Sequence, residues 1–302
     1  MELVRVGQPE SLLLNCSIQS SGDLQVSGDS YLGGFVGALA NSYTVNCTIE
    51  MPQENGTLLV EGSGSNVGGW AGIGTVGWAT NLGGSLDDSV LAEVSGVLTE
   101  ILQGDNSGQL LSLVGVAPSA TMGCRINGGT GAAAVRADGD YAGGFVGRGD
   151  GLYLTSSTEQ NLSSLSYWRQ NAENRLNIPE ARKNQIENLG SVTADSYAGG
   201  VAGSLRTASI AGLLNNVAGV GSYLPFTVEG TNVTYRGGTQ TVQAEQNYAG
   251  GAFGELVGGT VTDVTVTGLK LVQADNLTAG FAAVCGPGEL VGTGGIDLDL
   301  LG

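Results

Sequence analysis

A seven-residue box recurs along the chain, and it constrains the fold more than any other feature. It reads YLGGFVG from Tyr31, YAGGFVG from Tyr141, YAGGVAG from Tyr197 and YAGGAFG from Tyr248. Two worn copies, NVGGWAG from Asn66 and LTAGFAA from Leu277, keep its spacing. Each copy follows the same preface, as in GDLQVSGDSYLGG and AAAVRADGDYAGG: a β-forming run, a polar turn, then the box. Asp, Ser, Asn and Gly favour turns. A Gly pair admits either positive φ or the close approach of a neighbouring coil. One such unit cannot bury its own apolar face, whereas stacked copies can. The repeat therefore predicts a mainly β fold, a parallel β-solenoid in which the glycine pairs stack at one corner. Phe35, Trp70, Phe145 and Phe281 are then packing residues rather than a ligand shelf.

The box starts are separated by 35, 75, 56, 51 and 29 residues. The repeat unit implied is about 20–35 residues, so the longer gaps call for insertions. Two read as helical. Residues 157–190 are rich in Glu, Gln, Arg and Leu, and residues 86–102 place Val90, Leu91, Val94, Val97, Leu98 and Ile101 on one helical stripe. Asp87 and Asp88 sit near the start of that stripe, where a helix dipole favours anions. The stripe is expected to cover an apolar face or groove. The 51-residue gap leaves room for a further coil near SYLPF at 222–226. The whole of 1–302 reads as one solenoid, a piece of a longer protein.

Composition narrows the function classes. The 302 residues carry a formal net charge of −17 and no histidine. Nucleic acid is a poor partner, because phosphate binding needs a basic footprint. An anionic membrane surface is disfavoured for the same reason. No run of about 20 apolar residues is present to span a bilayer as a helix. The stretch SLLLNC ending at Cys16 lacks the small residue and cationic preface of a lipoprotein signal. The 53 glycines follow no Gly-X-Y period, and 41% of residues are hydrophobic, which excludes collagen and disorder.

Three of the four cysteines share the repeat. Cys16, Cys47 and Cys124 precede their box starts by 15, 19 and 17 residues, each in an apolar, strand-like context. Equivalent strand positions stack in a solenoid, which predicts a buried cysteine column and leaves a disulfide between neighbours open. Their spacing suits no zinc motif. Cys285 lies outside the register.

An apolar strand with Asn-Cys (Asn15-Cys16, Asn46-Cys47), a Gly-bearing turn and the boxes Tyr31 to Gly37, Tyr141 to Gly147, Tyr197 to Gly203 and Tyr248 to Gly254 resemble the GLUG-type repeats of large bacterial surface proteins. The resemblance implies a right-handed β-helix-like coil in an extracellular stalk or adhesin region, at the cell surface or wall. Its expected partner is a host or neighbouring-cell surface protein or glycan. It implies no catalytic, cofactor-binding or metal-binding residues. The helical insertions depart from the simple repeat.

Other constellations carry less. Gly72-Ile73-Gly74-Thr75-Val76-Gly77 matches G-x-G-x-x-G, a pattern that arises readily by chance among so many glycines, and WATNLGG is a poor helix start. Ser-His-Asp and Cys-His catalysis require a histidine. The carboxylate pairs Asp138 with Asp140, Asp87 with Asp88, and Asp297 with Asp299 would matter if the solenoid were a polysaccharide-degrading enzyme, a glycoside hydrolase or lyase, the rival reading. Placement in a turn, at a helix start and in a terminal tail favours structural roles; an acidic calcium site stays open. The Asn-x-Ser/Thr sites at Asn15, Asn46, Asn55, Asn161, Asn232 and Asn276 exceed chance only slightly, and GTVTDVTVTG from Gly259 reads as a single solvated strand face.

Overall fold

Short β-forming runs between polar turns wind into a coiled stack. A computed structural model describes residues 11–52, 56–78, 116–129, 131–164, 181–209, 223–236 and 240–286. These residues form six coils, 11–40, 42–75, 120–150, 153–206, 226–257 and 259–286, one for each copy of the box. Coil 3 shows the plan with Ala120–Met122, Arg125–Asn127, Ala133–Ala137, Tyr141–Gly143 and Val146–Asp150. The first three strand positions of all coils join in one 15-stranded sheet; the fourth and fifth each form a six-stranded sheet. Pairing from coil to coil is parallel and in register. Tyr141 pairs with Tyr197, Tyr197 with Tyr248, and Tyr248 with Leu277. The fold is mainly β, built of parallel sheets, and β-helix-like.

Alternate residues enter the core. In Asn184–Ala194, buried Ile186, Leu189 and Val192 are interleaved with half-exposed Gln185, Glu187 and Ser191. Inside the box corner, Phe35 stacks on Trp70 at 4.2 Å between centroids, and Trp70 on Phe145 at 5.6 Å. Coils 4 and 5 place the smaller Val201 and Ala252 at this box position. Buried Tyr235 lies nearby, its hydroxyl donating to the Gly251 carbonyl at 3.3 Å. Burial pushes the Tyr235 phenol well above its ordinary range. A second apolar cluster, Tyr43, Val45, Ala120 and Met122, lies on the opposite face of the first strands.

The corner after the first strand explains Asn-Cys. Asn15, Asn46 and Gly123 adopt left-handed φ of 54°, 50° and 61°, a conformation open to Gly and tolerated by Asn. The following cysteine begins the next strand position.

Several sequence expectations are corrected. The 157–190 segment is not one helical insertion. Among its described residues the helix is Glu159–Ser164, and by Asn184 the chain is a strand hydrogen-bonded on both edges. Parallel pairing and period-two burial override a composition that favours helix. The 86–102 insertion lies outside the described residues, as do Asp87, Asp88, Asp297, Asp299 and Asn55. Among the described residues no additional coil sits near 222–226, since Phe226–Tyr235 opens coil 5. The described part of the 51-residue gap instead contains the antiparallel pair Ala208–Ser209 and Tyr223–Leu224. The connector after coil 2 uses the same device, with Gly77–Trp78 against Val116–Ala117.

Candidate functional site

The box is the feature that invited a functional reading, and its glycines are packing devices. None of its Gly-Gly pairs has positive φ; close approach explains them. A Cβ on the first glycine, as at Gly143, would overlap the carbonyl of Val146 where the chain folds back. A Cβ on the second would overlap the next coil: Gly34 meets the Gly69 carbonyl, Gly69 that of Gly144, and Gly251 that of Gly280. The last box glycine sits where the fifth strand crosses the start of the fourth, 2.7 Å from the Tyr197 carbonyl for a Cβ at Gly203. Trp70 and Phe145 are fully buried, while Phe281 in coil 6 is 42% exposed.

Three of the four box tyrosines form a ladder, while Tyr31, separated from them by Asn66 of coil 2, is exposed. Tyr141 and Tyr197 stack at 4.8 Å with 19° between planes, and Tyr248 meets Tyr197 edge-on at 5.2 Å. Stacked rings cover one another's faces and present edges and hydroxyls. That geometry suits coil-to-coil packing better than a platform for sugar rings, which need a free aromatic face. Burial, with the Glu255 charge second, pushes the Tyr197 phenol up to about 12. The Arg148 guanidinium lies 5.4 Å from the Tyr141 ring centre. On the adjoining strands, buried Glu255 accepts from Arg206 at 2.8 Å and from Ser204 at 2.7 Å.

The turn before the box gathers the acidic residues. A recess of roughly 480 Å³ is lined by Arg136, Ala137, Asp138, Thr193, Ala194, Asp195 and Glu245. Asp138 pairs with Arg136 at 3.0 Å, and Asp195 accepts from Gln246 at 2.9 Å. Asp140, the partner of Asp138 in the sequence, accepts from Ser196 at 3.1 Å. Asp140 and Asp195 thus accept from the next coil, whereas Asp138 pairs within its own coil. No group of three metal-ligating side chains occurs among the described residues.

The cysteine column forms, with one change. Cys47 and Cys124 are buried, but Cys16, in the first described coil, is exposed. Exposed Cys285 lies on another strand, opposite Leu256. Coil 4 continues the column with Asn184, which sequence reading missed. Buried Asn184 accepts the Cys124 N–H at 2.9 Å and donates to the Thr121 and Thr155 carbonyls at 3.1 Å each. It closes the corner across which residues 156–183 are inserted. It had no clear signal in the sequence, because the run that follows it, QIENLG, favours helix by composition.

Of the remaining motifs, Gly72 and Gly74 lie within the strand Ala71–Thr75, not in a loop opening a helix. Thr265 and Thr267 are exposed on coil 6, but Asn232, Gln185 and Arg125 continue the Thr265 row, so no threonine grid forms. Asn46 is buried, so its sequon is not displayed. No helix among the described residues is long and apolar enough to cross a membrane. No family model matches the chain, and neither a curated protein nor a solved structure matches it.

Proposed function

We propose that the protein is a non-catalytic extracellular module of a bacterial cell surface, for adhesion or for spacing and presenting other segments. One observation carries the reading. The coil is repeated in register, whereas two connectors leave it at the same corner, between the fifth strand of one coil and the first of the next, through antiparallel stems. A uniform rack that carries these two connectors at one corner and the 156–183 insertion at another suits the display of individual surfaces. The box residues that the coils share are committed to stacking. The resemblance of the box to GLUG-type repeats points the same way and implies a right-handed coil, the hand that parallel β crossovers adopt. The partner is a surface protein or glycan.

The test is an array of glycans and host surface proteins, probed with the full chain and with a variant in which residues 79–115 and 210–222 are replaced by short turns. The expected result is binding by the full chain and its loss in a variant that still melts cooperatively. Cleavage of a polysaccharide on the array, in place of retention, would overturn the reading.

A further inference from the structure

Cys16, Cys47 and Cys124 open the second strand position in coils 1, 2 and 3. The residues that follow them pair directly, Ser17 with Thr48 and Thr48 with Arg125. Cys16 and Cys47 therefore face the same way on adjacent strands, and the Cys16 N–H lies 3.4 Å from the Cys47 sulfur. Neighbouring strands run about 4.8 Å apart, inside the roughly 4.4–6.8 Å Cα window of a disulfide. All three are free thiols in this structure.

We propose that Cys16 and Cys47 are a disulfide-forming pair, closed by a low-molecular-weight disulfide that enters at exposed Cys16, and that the bond clamps the first coil to the second. Exposure divides the work among the three sulfurs. Cys16 is open to solvent and Cys47 lies directly behind it. Cys124 is enclosed, and burial pushes its thiol well up, keeping it protonated. Donation from the Cys124 thiol favours the thiolate at Cys47. In the first step the Cys16 thiolate attacks one sulfur of the small disulfide and expels the other as a thiolate. In the second the Cys47 thiolate attacks the Cys16 sulfur, forms the protein disulfide and expels the second small thiolate. Two protein thiols are oxidised, one small disulfide is reduced, and the two released thiolates take up the two protons. The proposal is independent of the adhesion reading and fits any oxidising compartment.

The full chain is incubated with oxidised glutathione, alkylated under native and then denaturing conditions, and mapped by mass spectrometry. Cleavage at Asp23 and Asp29 separates the two cysteines. The expected product has a Cys16–Cys47 link and lacks two hydrogens, with Cys124 alkylated only after denaturation. Cys285, which has no cysteine opposite it, retains a glutathione adduct and serves as the internal comparison. The exposed substitution Cys16→Ser leaves Cys47 and Cys124 unmodified under the same treatment. A glutathione adduct persisting on Cys16, a link between Cys47 and Cys124 in either protein, or unreacted Cys16 would overturn the proposal.

Discussion

Gly144 lies directly against Gly200: a Cβ on the first would overlap the carbonyl oxygen of the second. The contact is between coils, so its cost depends on a coil being there. Gly144→Val is expected to destabilise by about 2 kcal/mol or more through overpacking and backbone strain, with Gly34→Val, Gly200→Val and Gly251→Val alike. Gly280 holds the same box position in coil 6 and has nothing within 4 Å of a Cβ, so Gly280→Val should be nearly neutral. Gly151 is no neutral comparison, because its φ is +66°. Chemical denaturation of the five variants decides. Equal losses at Gly280 and Gly144 would show that the box requires glycine for itself and not for stacking.

Asn184 should be the most sensitive polar residue of the cysteine column. Asn184→Ala leaves the Cys124 N–H and the Thr121 and Thr155 carbonyls without this partner in the interior. The Thr155 carbonyl still accepts from the Gly123 N–H, but each unsatisfied buried group costs roughly 1–3 kcal/mol, so a loss of about 2 kcal/mol is expected in urea titration. A loss below about 1 kcal/mol would mean that the corner closes without it.

The ion pair of Arg206 with Glu255 is asymmetric: the Glu255 side chain is 5% exposed and that of Arg206 26%. Arg206→Met abandons a buried carboxylate, and breaking such a pair costs about 3 kcal/mol. The double variant Arg206→Met, Glu255→Leu should recover most of the loss, since an apolar replacement removes the stranded charge. A thermal-melt cycle reads both. A double variant as unstable as Arg206→Met alone contradicts the argument.

Alkaline pH should loosen the tyrosine ladder. The Tyr197 phenol is raised from its ordinary value near 10 to about 12 by burial first and the Glu255 charge second. The folded state therefore holds the proton more tightly than the unfolded chain. Its contribution is complete below about pH 10 and is lost as pH rises through about 12. Melting temperature measured against pH should fall across that window, and Tyr197→Phe should soften the fall. An identical alkaline limb in that variant would assign the loss to other groups.

The box spacing, its β-forming flanks and the shared offset of Cys16, Cys47 and Cys124 were enough to read a stacked parallel coil from the sequence. They worked because a repeat states the same local geometry several times, and only stacking buries an apolar face that recurs in each unit. The acidic turns were legible as turns, but that Asp140 and Asp195 serve Ser196 and Gln246 was not, because those partners lie one coil away. Composition misled at residues 184–190, where helix-favouring side chains enter a strand because neighbours on both sides offer hydrogen bonds. It also failed to show that Phe281 and Cys16 are exposed while Phe145 and Cys47 are buried. Each pair is equivalent in sequence. Which member is buried depends on how many coils lie above and below it, and only the assembled stack decides that.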